Sequence, residues 1–144
     1  AAIADIDKDG DKDVVMTGLN KFNQAVMLLY RNDGNRRFTP VKVPFSPITD
    51  GSLDWGDYDH DGDLDLLVSG KQYDKRLSTI IYRNDAGLFT KTVISVPGIF
   101  DGSARWGDFD HDKDLDIVIT GNNGEGPFTA VYRNDNGKYY KLTQ

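Results

Sequence analysis

Short apolar runs bounded by glycine recur along the chain, and polar residues separate them. Three of these runs, DVVMTG, DLLVSG and DIVITG, begin at residues 13, 65 and 116 and are rich in β-branched residues. Runs of this length and composition favour a strand buried on both faces over a helix. No segment shows a sustained helical period. The pattern therefore predicts an all-β protein.

Two further kinds of segment accompany the apolar runs. An alternating segment, SLDWGD or SARWGD, precedes two of them, and a β-rich segment ending in YRND follows each one. Asn, Asp and Gly accept positive φ at low cost, so the residues after YRND predict a hairpin turn. The next strand is then a segment such as LFTKTVISV, residues 88–96. Glycines follow YRND at Gly34, Gly87 and Gly137, and aromatic residues follow them at Phe38, Phe89 and Tyr139.

This four-strand unit occurs three times. YRND begins at residues 30, 82 and 132, at intervals of 52 and 50 residues, and an aspartate-rich segment keeps nearly the same period. Four strands in about 50 residues, with turn signals and recurring aromatics, are typical of a β-propeller blade. We predict one β-propeller segment over residues 1–144, with three four-stranded blades in approximate repeats 1–50, 51–101 and 102–144.

The acidic residues are almost all aspartate. The chain has 22 Asp and a single Glu, and its formal net charge is −6. Aspartate favours turns and ion coordination over helix surfaces. A net negative charge is repelled by phosphate, which argues against a nucleic-acid partner. The absence of cysteine excludes disulfides and thiolate metal sites. No apolar run approaches the roughly 18 residues of a membrane span.

Most of the aspartates fall into three loops, each leading into one of the apolar runs. Aspartate occupies positions 1, 3, 5, 7 and 9 of every loop. Ca²⁺ takes six to eight oxygen ligands, and the glycine at position 6 of two loops permits the sharp turn that gathers them. An EF-hand is excluded, because its loop closes with Glu at position twelve between helices. The predicted metal-site residues are Asp5, Asp7, Asp9, Asp11, Asp13, Asp57, Asp59, Asp61, Asp63, Asp65, Asp108, Asp110, Asp112, Asp114 and Asp116.

A solvated acidic turn is the alternative interpretation of one such loop, but three copies in register with the strands favour calcium. Magnesium is disfavoured because it keeps several waters in a strict octahedron. Three Ca²⁺ would also balance the formal charge of −6. The third loop has Lys113 where the others have Gly10 and Gly62. A non-glycine residue at positive φ costs on the order of 1 kcal/mol, and so we expect the third site to be the weakest.

The acidic loop between two strands, the Trp-Gly pairs at residues 55–56 and 106–107, and the YRND hairpin resemble the FG-GAP/VCBS repeats of integrin-α-like β-propellers. A Gly-Ala-Pro element is absent, so the VCBS branch is the closer likeness. The resemblance implies a Ca²⁺ loop between the first two strands of each blade. It also implies side-chain ligands at positions 1, 3, 5 and 9, and a backbone carbonyl from position 7, which is Asp11, Asp63 or Asp114.

The two histidines raise the question of catalysis. His60 and His111 occupy the same loop position in two repeats, where the first repeat has Lys8. Residues that recur with the scaffold belong to the scaffold or to its solvated rim. Trp55 and Trp106 are also in register, which favours packing between blades over a sugar-stacking surface. No Ser or Thr stands beside a histidine as an activated nucleophile would. We therefore predict a protein that is not an enzyme.

Two functions remain open. The resemblance favours an extracellular or cell-surface adhesion module that binds a protein or carbohydrate ligand. The alternative is an accessory propeller domain of a secreted polysaccharide-active hydrolase or lyase. Calcium loops of modest affinity suit an extracellular location, where sites of this class operate.

Assembly follows from the number of blades. Propellers close with typically four to eight blades, and three are too few. We expect either a homodimer that completes a six-bladed ring or further blades in a longer chain. The shortened first strand of the first repeat and the absence of an initiating Met agree with the second expectation.

Overall fold

Three antiparallel sheets of four strands each make up the fold. The computed structural model describes residues 1–142, which contain strands and turns but no helix. Residues 1–142 accordingly offer no helix that could cross a membrane. Sheet 1 comprises β1 (Ala2–Ala4), β2 (Asp13–Leu19), β3 (Ala25–Asn32) and β4 (Phe38–Val41); sheet 2 comprises β5 (Ile48–Gly56), β6 (Asp65–Gln72), β7 (Leu77–Asp85) and β8 (Leu88–Val93); sheet 3 comprises β9 (Phe100–Gly107), β10 (Asp116–Asn122), β11 (Pro127–Asp135) and β12 (Lys138–Lys141).

Within each sheet every strand pairs with the next strand along the chain, so each sheet is a four-stranded meander. The predicted all-β class, with three four-stranded blades of a partial β-propeller, is confirmed. The predicted hairpins after YRND are confirmed as well. Two-residue turns with positive φ join β7 to β8 at Ala86 and Gly87 and join β11 to β12 at Asn136 and Gly137. Paired positive φ values are the geometry of a type I′ turn, whose twist matches that of the strands.

The middle sheet lies between the other two, and β6 is therefore buried on both faces. Leu66 and Val68 belong to a core shared with sheet 1, and Leu67 belongs to a core shared with sheet 3. All three side chains are 0% exposed. The prediction of a doubly buried strand is correct for β6 and wrong for its counterparts β2 and β10. Met16 on β2 is 38% exposed and Val118 on β10 is half-buried, because no described sheet covers the second face of these strands.

The segments that connect the sheets also contribute to the cores. Phe45, between β4 and β5, packs on Tyr82 and Phe89 with ring centroids 4.7 and 5.0 Å apart. Val96, between β8 and β9, is buried in the second core. The expected strand over residues 88–96 therefore ends early, at Val93. The last residues leave the sheet because they carry the chain across to sheet 3 and fill the space between the two sheets.

The two tryptophans lie at the loop end of the first strands of sheets 2 and 3. Trp55 packs against the first core and lies 6.2 Å from Phe89 between ring centroids. Trp106 packs against the second core and stacks on Tyr58 at 6.0 Å. The prediction that these residues pack between blades is confirmed.

Candidate metal-binding loops

The three aspartate-rich loops lie at equivalent places in the three sheets. Loop 1, loop 2 and loop 3 are residues 5–13, 57–65 and 108–116, counted from position 1 to position 9. Each connects the first strand of a sheet to the second. The residue before each loop pairs with the residue at position 9, so the two strands close the loop at its base. This placement is the one that the resemblance to FG-GAP repeats implies.

The aspartate at position 9 organises each loop from the inside. In all three loops it is at most 1% exposed. In loop 2 its two carboxylate oxygens, on Asp65, accept hydrogen bonds of 2.8 Å from the N–H groups of Tyr58 and Asn84. The carboxylate thus ties the loop to β7, the third strand of the sheet. Equivalent bonds reach Asp13 from Ile6 and Asn32, and reach Asp116 from Phe109 and Asn134.

The electrostatic environment of Asp65 favours a cation. Burial raises the pKa of Asp65 from its ordinary value of 3.8 to about 6, although its two backbone hydrogen bonds lower the pKa. The neighbouring charges of Asp59 and Asp61 raise the pKa further. A divalent ion in the loop would reverse this balance, because an opposite charge nearby stabilises the ionised carboxylate.

Three aspartates of each loop bring carboxylate oxygens within 4.8 Å of one another. In loops 1 and 3 they come from positions 1, 3 and 9, and in loop 2 from positions 1, 3 and 5. The other predicted side-chain ligands, Asp9, Asp65 and Asp112, lie in the same loops outside these groups. Whether each aspartate binds an ion stays a prediction. The groups are Asp5, Asp7 and Asp13; Asp57, Asp59 and Asp61; and Asp108, Asp110 and Asp116.

One carboxylate oxygen of the aspartate at position 1 has no hydrogen-bond partner. Its Oδ2 accepts a hydrogen bond of 3.1 to 3.2 Å from the N–H at position 6. Its Oδ1 is buried and accepts no hydrogen bond in any of the three loops, at Asp5, Asp57 or Asp108. Asp59 Oδ1, at position 3 of loop 2, is in the same situation. Buried oxygens without partners are costly, and a cation at the centre of the loop would satisfy them.

In loops 2 and 3 the aspartate at position 7 directs its carboxylate to other partners. Asp63 accepts a hydrogen bond of 2.7 Å from Lys8 in loop 1, and Asp114 lies 3.3 Å from His60 Nε2 in loop 2. Each also accepts a hydrogen bond from the turn between the third and fourth strands of its sheet. With the carboxylates engaged in this way, the backbone carbonyl is the ligand that position 7 can offer. These contacts link loop 1 to loop 2 and loop 2 to loop 3.

Position 4 has a role that the sequence did not reveal. Lys8, His60 and His111 all have positive φ, between 62° and 64°. All three side chains are exposed, and the first two contact the neighbouring loop. The hydrogen bond with Asp63 raises the pKa of Lys8 and lowers that of Asp63. Histidine is enriched at positive φ, and this was the one signal in the sequence for the backbone turn.

The YRND motif supports the loops as well as the hairpin. Asn84 donates from Nδ2 to the carbonyl of Leu64 in loop 2 and accepts a hydrogen bond from the turn N–H of Gly87. Arg83 forms a salt bridge with Asp85 and lies 3.7 Å from Asp59 at position 3. The sequence pattern predicts a role for the Asn and Asp of this motif in the turn alone. Its side chains in fact join the loop, the third strand and the turn.

Position 6 adopts the left-handed conformation expected for a tight loop. Its φ is 96° at Gly10, 87° at Gly62 and 83° at Lys113. We expect Lys113→Gly to tighten cation binding by loop 3 about fivefold, because about 1 kcal/mol of backbone strain and one positive charge are removed. Calorimetric titration of the variant and the parent protein measures the change.

Gly10→Lys is the reciprocal control. An added Cβ at Gly10 meets nothing within 4 Å, so steric overlap does not complicate the comparison. This substitution should weaken loop 1 by a similar factor. Lys113→Gln keeps the strained backbone and removes the charge, and it separates the two contributions. Weaker binding by Lys113→Gly than by the parent would show that loop 3 relies on the lysine.

Comparison with known protein families finds a similarity for part of the chain. Residues 5–68 match the family model of the FG-GAP-like repeat. The match begins at position 1 of loop 1 and extends through loop 2 into β6, so it covers two consecutive loops and the strands between them. No curated protein and no solved structure matched the chain.

Proposed function

Since residues 5–68 match the family model of the FG-GAP-like repeat and the chain folds as a partial β-propeller, we propose that the protein is a calcium-stabilised binding module that works outside the cell and is not an enzyme. The loops and sheets hold their geometry with the help of bound Ca²⁺. The surfaces between the loops then recognise a protein or carbohydrate ligand.

The observation that carries the calcium proposal is the buried, unpartnered Oδ1 at position 1 of every loop. An acidic turn exposed to water would hydrate this oxygen. In each loop the oxygen instead belongs to a carboxylate that lies in a three-aspartate group. Three hard oxygen donors close together suit Ca²⁺.

A cleft between loops 1 and 2 supports a binding role. It has a volume of about 440 Å³ and is lined by residues that include Lys8, Arg31 and Asp63. A second cleft of about 250 Å³, lined in part by His60 and Asp114, occupies the equivalent place between loops 2 and 3. Charges of both signs line the first cleft, and carboxylate, imidazole and amide side chains line the second, so both can hydrogen-bond a polar ligand.

Titration calorimetry with CaCl₂ tests the proposal. We expect three ions per chain, because the three loops share one geometry. The triple variant Asp5→Asn, Asp57→Asn, Asp108→Asn removes a carboxylate from position 1 of every loop and should bind at least tenfold more weakly. Its matched control makes the same change at exposed aspartates outside the loops, as Asp50→Asn, Asp74→Asn, Asp101→Asn.

The control variant carries the same net charge as the loop variant and should bind calcium as the parent protein does. Equal loss of calcium binding in both variants would show that the effect comes from the overall charge of the protein and not from the loops. A parent protein that binds no calcium at millimolar concentration would remove calcium from the proposal.

The partial propeller is open at both ends, which is compatible with dimerisation. We propose that further sheets complete it, supplied either by a second copy or by further repeats of a longer chain.

A further inference from the structure

The face of sheet 1 that is turned away from sheet 2 is apolar and open; we name it the outer face of sheet 1. Met16 and Leu28 are cross-strand partners on this face and are 38% and 40% exposed. Phe38 lies on the same face and is 48% exposed, and Ile3 is 65% exposed. The alternate residues of β2 and β3 point into the core, so this face is distinct from the one that contacts sheet 2.

The same positions are fully covered in the other two sheets. In sheets 2 and 3 the preceding sheet packs on them. The outer face of sheet 1 therefore has the side chains of an interface between blades, without the sheet that covers it elsewhere. The equivalents of Met16 are Val68 and Ile119, those of Leu28 are Ile80 and Ala130, and those of Phe38 are Phe89 and Tyr139; all six are at most 7% exposed.

Sheet 3, on the other side of sheet 2, carries the complementary surface. The outer face of sheet 3, turned away from sheet 2, includes the cross-strand pair Val118 and Val131. Their equivalents in sheet 2, Leu67 and Ile81, are both 0% exposed because sheet 3 covers them. Both valines are half-buried in the single chain.

A cross-strand pair of hydroxyl side chains also recurs in sheets 2 and 3. In sheet 2, Ser69 and Thr79 are 2.9 Å apart and also bond the segment leading into β9, through Ile99 N and Pro97 O. In sheet 3 the equivalent pair, Thr120 and Thr129, is likewise 2.9 Å apart but exposed. The outer face of sheet 3 thus presents apolar and hydroxyl side chains equivalent to those on the face of sheet 2 that sheet 3 covers.

We propose that a second copy of this chain covers the outer face of sheet 1 with the outer face of its own sheet 3. The same contact at the other end closes a two-fold ring of six sheets, within the four to eight typical of propellers. The proposal rests on the repeat architecture of the proposed function and is independent of calcium.

Contacts between neighbouring loops fit the same arrangement. Position 4 of one loop contacts position 7 of the next at Lys8–Asp63 and His60–Asp114. Continuing this series across the contact places His111 of one copy beside Asp11 of the other. One contact is not reproduced, because Arg105 stands where Asp54 accepts a hydrogen bond from the next sheet.

Light scattering coupled to size-exclusion chromatography tests the proposal. The parent protein should have a mass of about 32 kDa, twice the 16.1 kDa of one chain. Leu28→Asp blocks the outer face of sheet 1, Val131→Asp blocks that of sheet 3, and each should halve the mass. Leu88→Asp is the matched control, since Leu88 is 76% exposed at the start of β8 in sheet 2, away from both outer faces, and this variant should stay at 32 kDa.

Mixing the variants distinguishes a head-to-tail contact from a symmetric one. Leu28→Asp retains an intact sheet 3 face and Val131→Asp retains an intact sheet 1 face, so an equimolar mixture should recover a species of about 32 kDa. Met16→Asp provides a second sheet 1 variant if Leu28→Asp does not fold, as judged by circular dichroism.

Three results would overturn the proposal: a folded monomeric parent, a Val131→Asp variant that remains dimeric, or open assemblies larger than a dimer. The measurements are made with calcium and with chelator. A dimer that forms in a protein binding no calcium would refute the calcium proposal alone, and calcium binding by a monomer would refute the dimer alone.

Discussion

Asp65→Ala is expected to lower the free energy of unfolding by about 2 to 5 kcal/mol, a loss that substitution of its equivalents Asp13 and Asp116 should share. The substitution leaves the N–H groups of Tyr58 and Asn84 without their acceptor. Asp65 is 0% exposed, so water does not replace it without opening the sheet. An orphaned buried donor costs about 1 to 3 kcal/mol, and small domains have about 5 to 15 kcal/mol in total. Urea denaturation in chelator, followed by tryptophan fluorescence, measures the loss.

The control lies in the same loop. Asp61 is exposed, and its carboxylate accepts one exposed hydrogen bond from Asp63 N. In chelator, Asp61→Ala should cost less than about 1 kcal/mol, because surface substitutions of this kind have small effects. Equal losses from the two variants would show that the position 9 carboxylate does not organise the loop.

Removal of calcium is the second large effect. Sites of the extracellular class have dissociation constants of roughly 10⁻⁴ to 10⁻³ M, so millimolar Ca²⁺ stabilises each by about 0.4 to 1.4 kcal/mol. Three sites together contribute about 1 to 4 kcal/mol. For a chain of this size that corresponds to a fall in melting temperature of about 3 to 12 °C on addition of chelator.

Calcium should restore the melting temperature, whereas magnesium should restore it poorly because it loses its waters reluctantly. The triple variant at Asp5, Asp57 and Asp108 should melt at the same temperature with and without chelator. Differential scanning calorimetry makes both comparisons. A parent protein whose melting does not respond to chelator would contradict the role given to the loops.

The fold could be predicted because its signals are local and occur three times. The glycines after YRND fixed the hairpins, and the structure has positive φ at Gly34, Gly87 and Gly137. Interactions between blades were harder to predict from the sequence, since they join residues about 52 positions apart. The bridge from Lys8 to Asp63 depends on how two sheets stack, and neither residue alone indicates it.

The metal-binding loops show the same difference between local features, which the sequence predicts, and contacts to distant residues, which it does not. Aspartates at alternate positions predicted a loop that gathers carboxylates, and the structure brings three together in each loop. The sequence pattern predicted the aspartate at position 9 only as a further metal ligand. The buried bonds of Asp65 to two distant N–H groups make it a structural element as well. A pattern of residue types does not distinguish these roles, because the difference lies in burial and in the partner strand.

The position of sheet 2 between its neighbours has a consequence for how the molecule unfolds. In a nearest-neighbour description of repeat proteins, each unit is held by its own stability and by the interfaces on either side. Sheets 1 and 3 have one such interface each within the chain, and sheet 2 has two. An isolated chain therefore frays from both ends toward its middle. In a closed ring every sheet has two interfaces, and no terminal unit remains at which fraying can start.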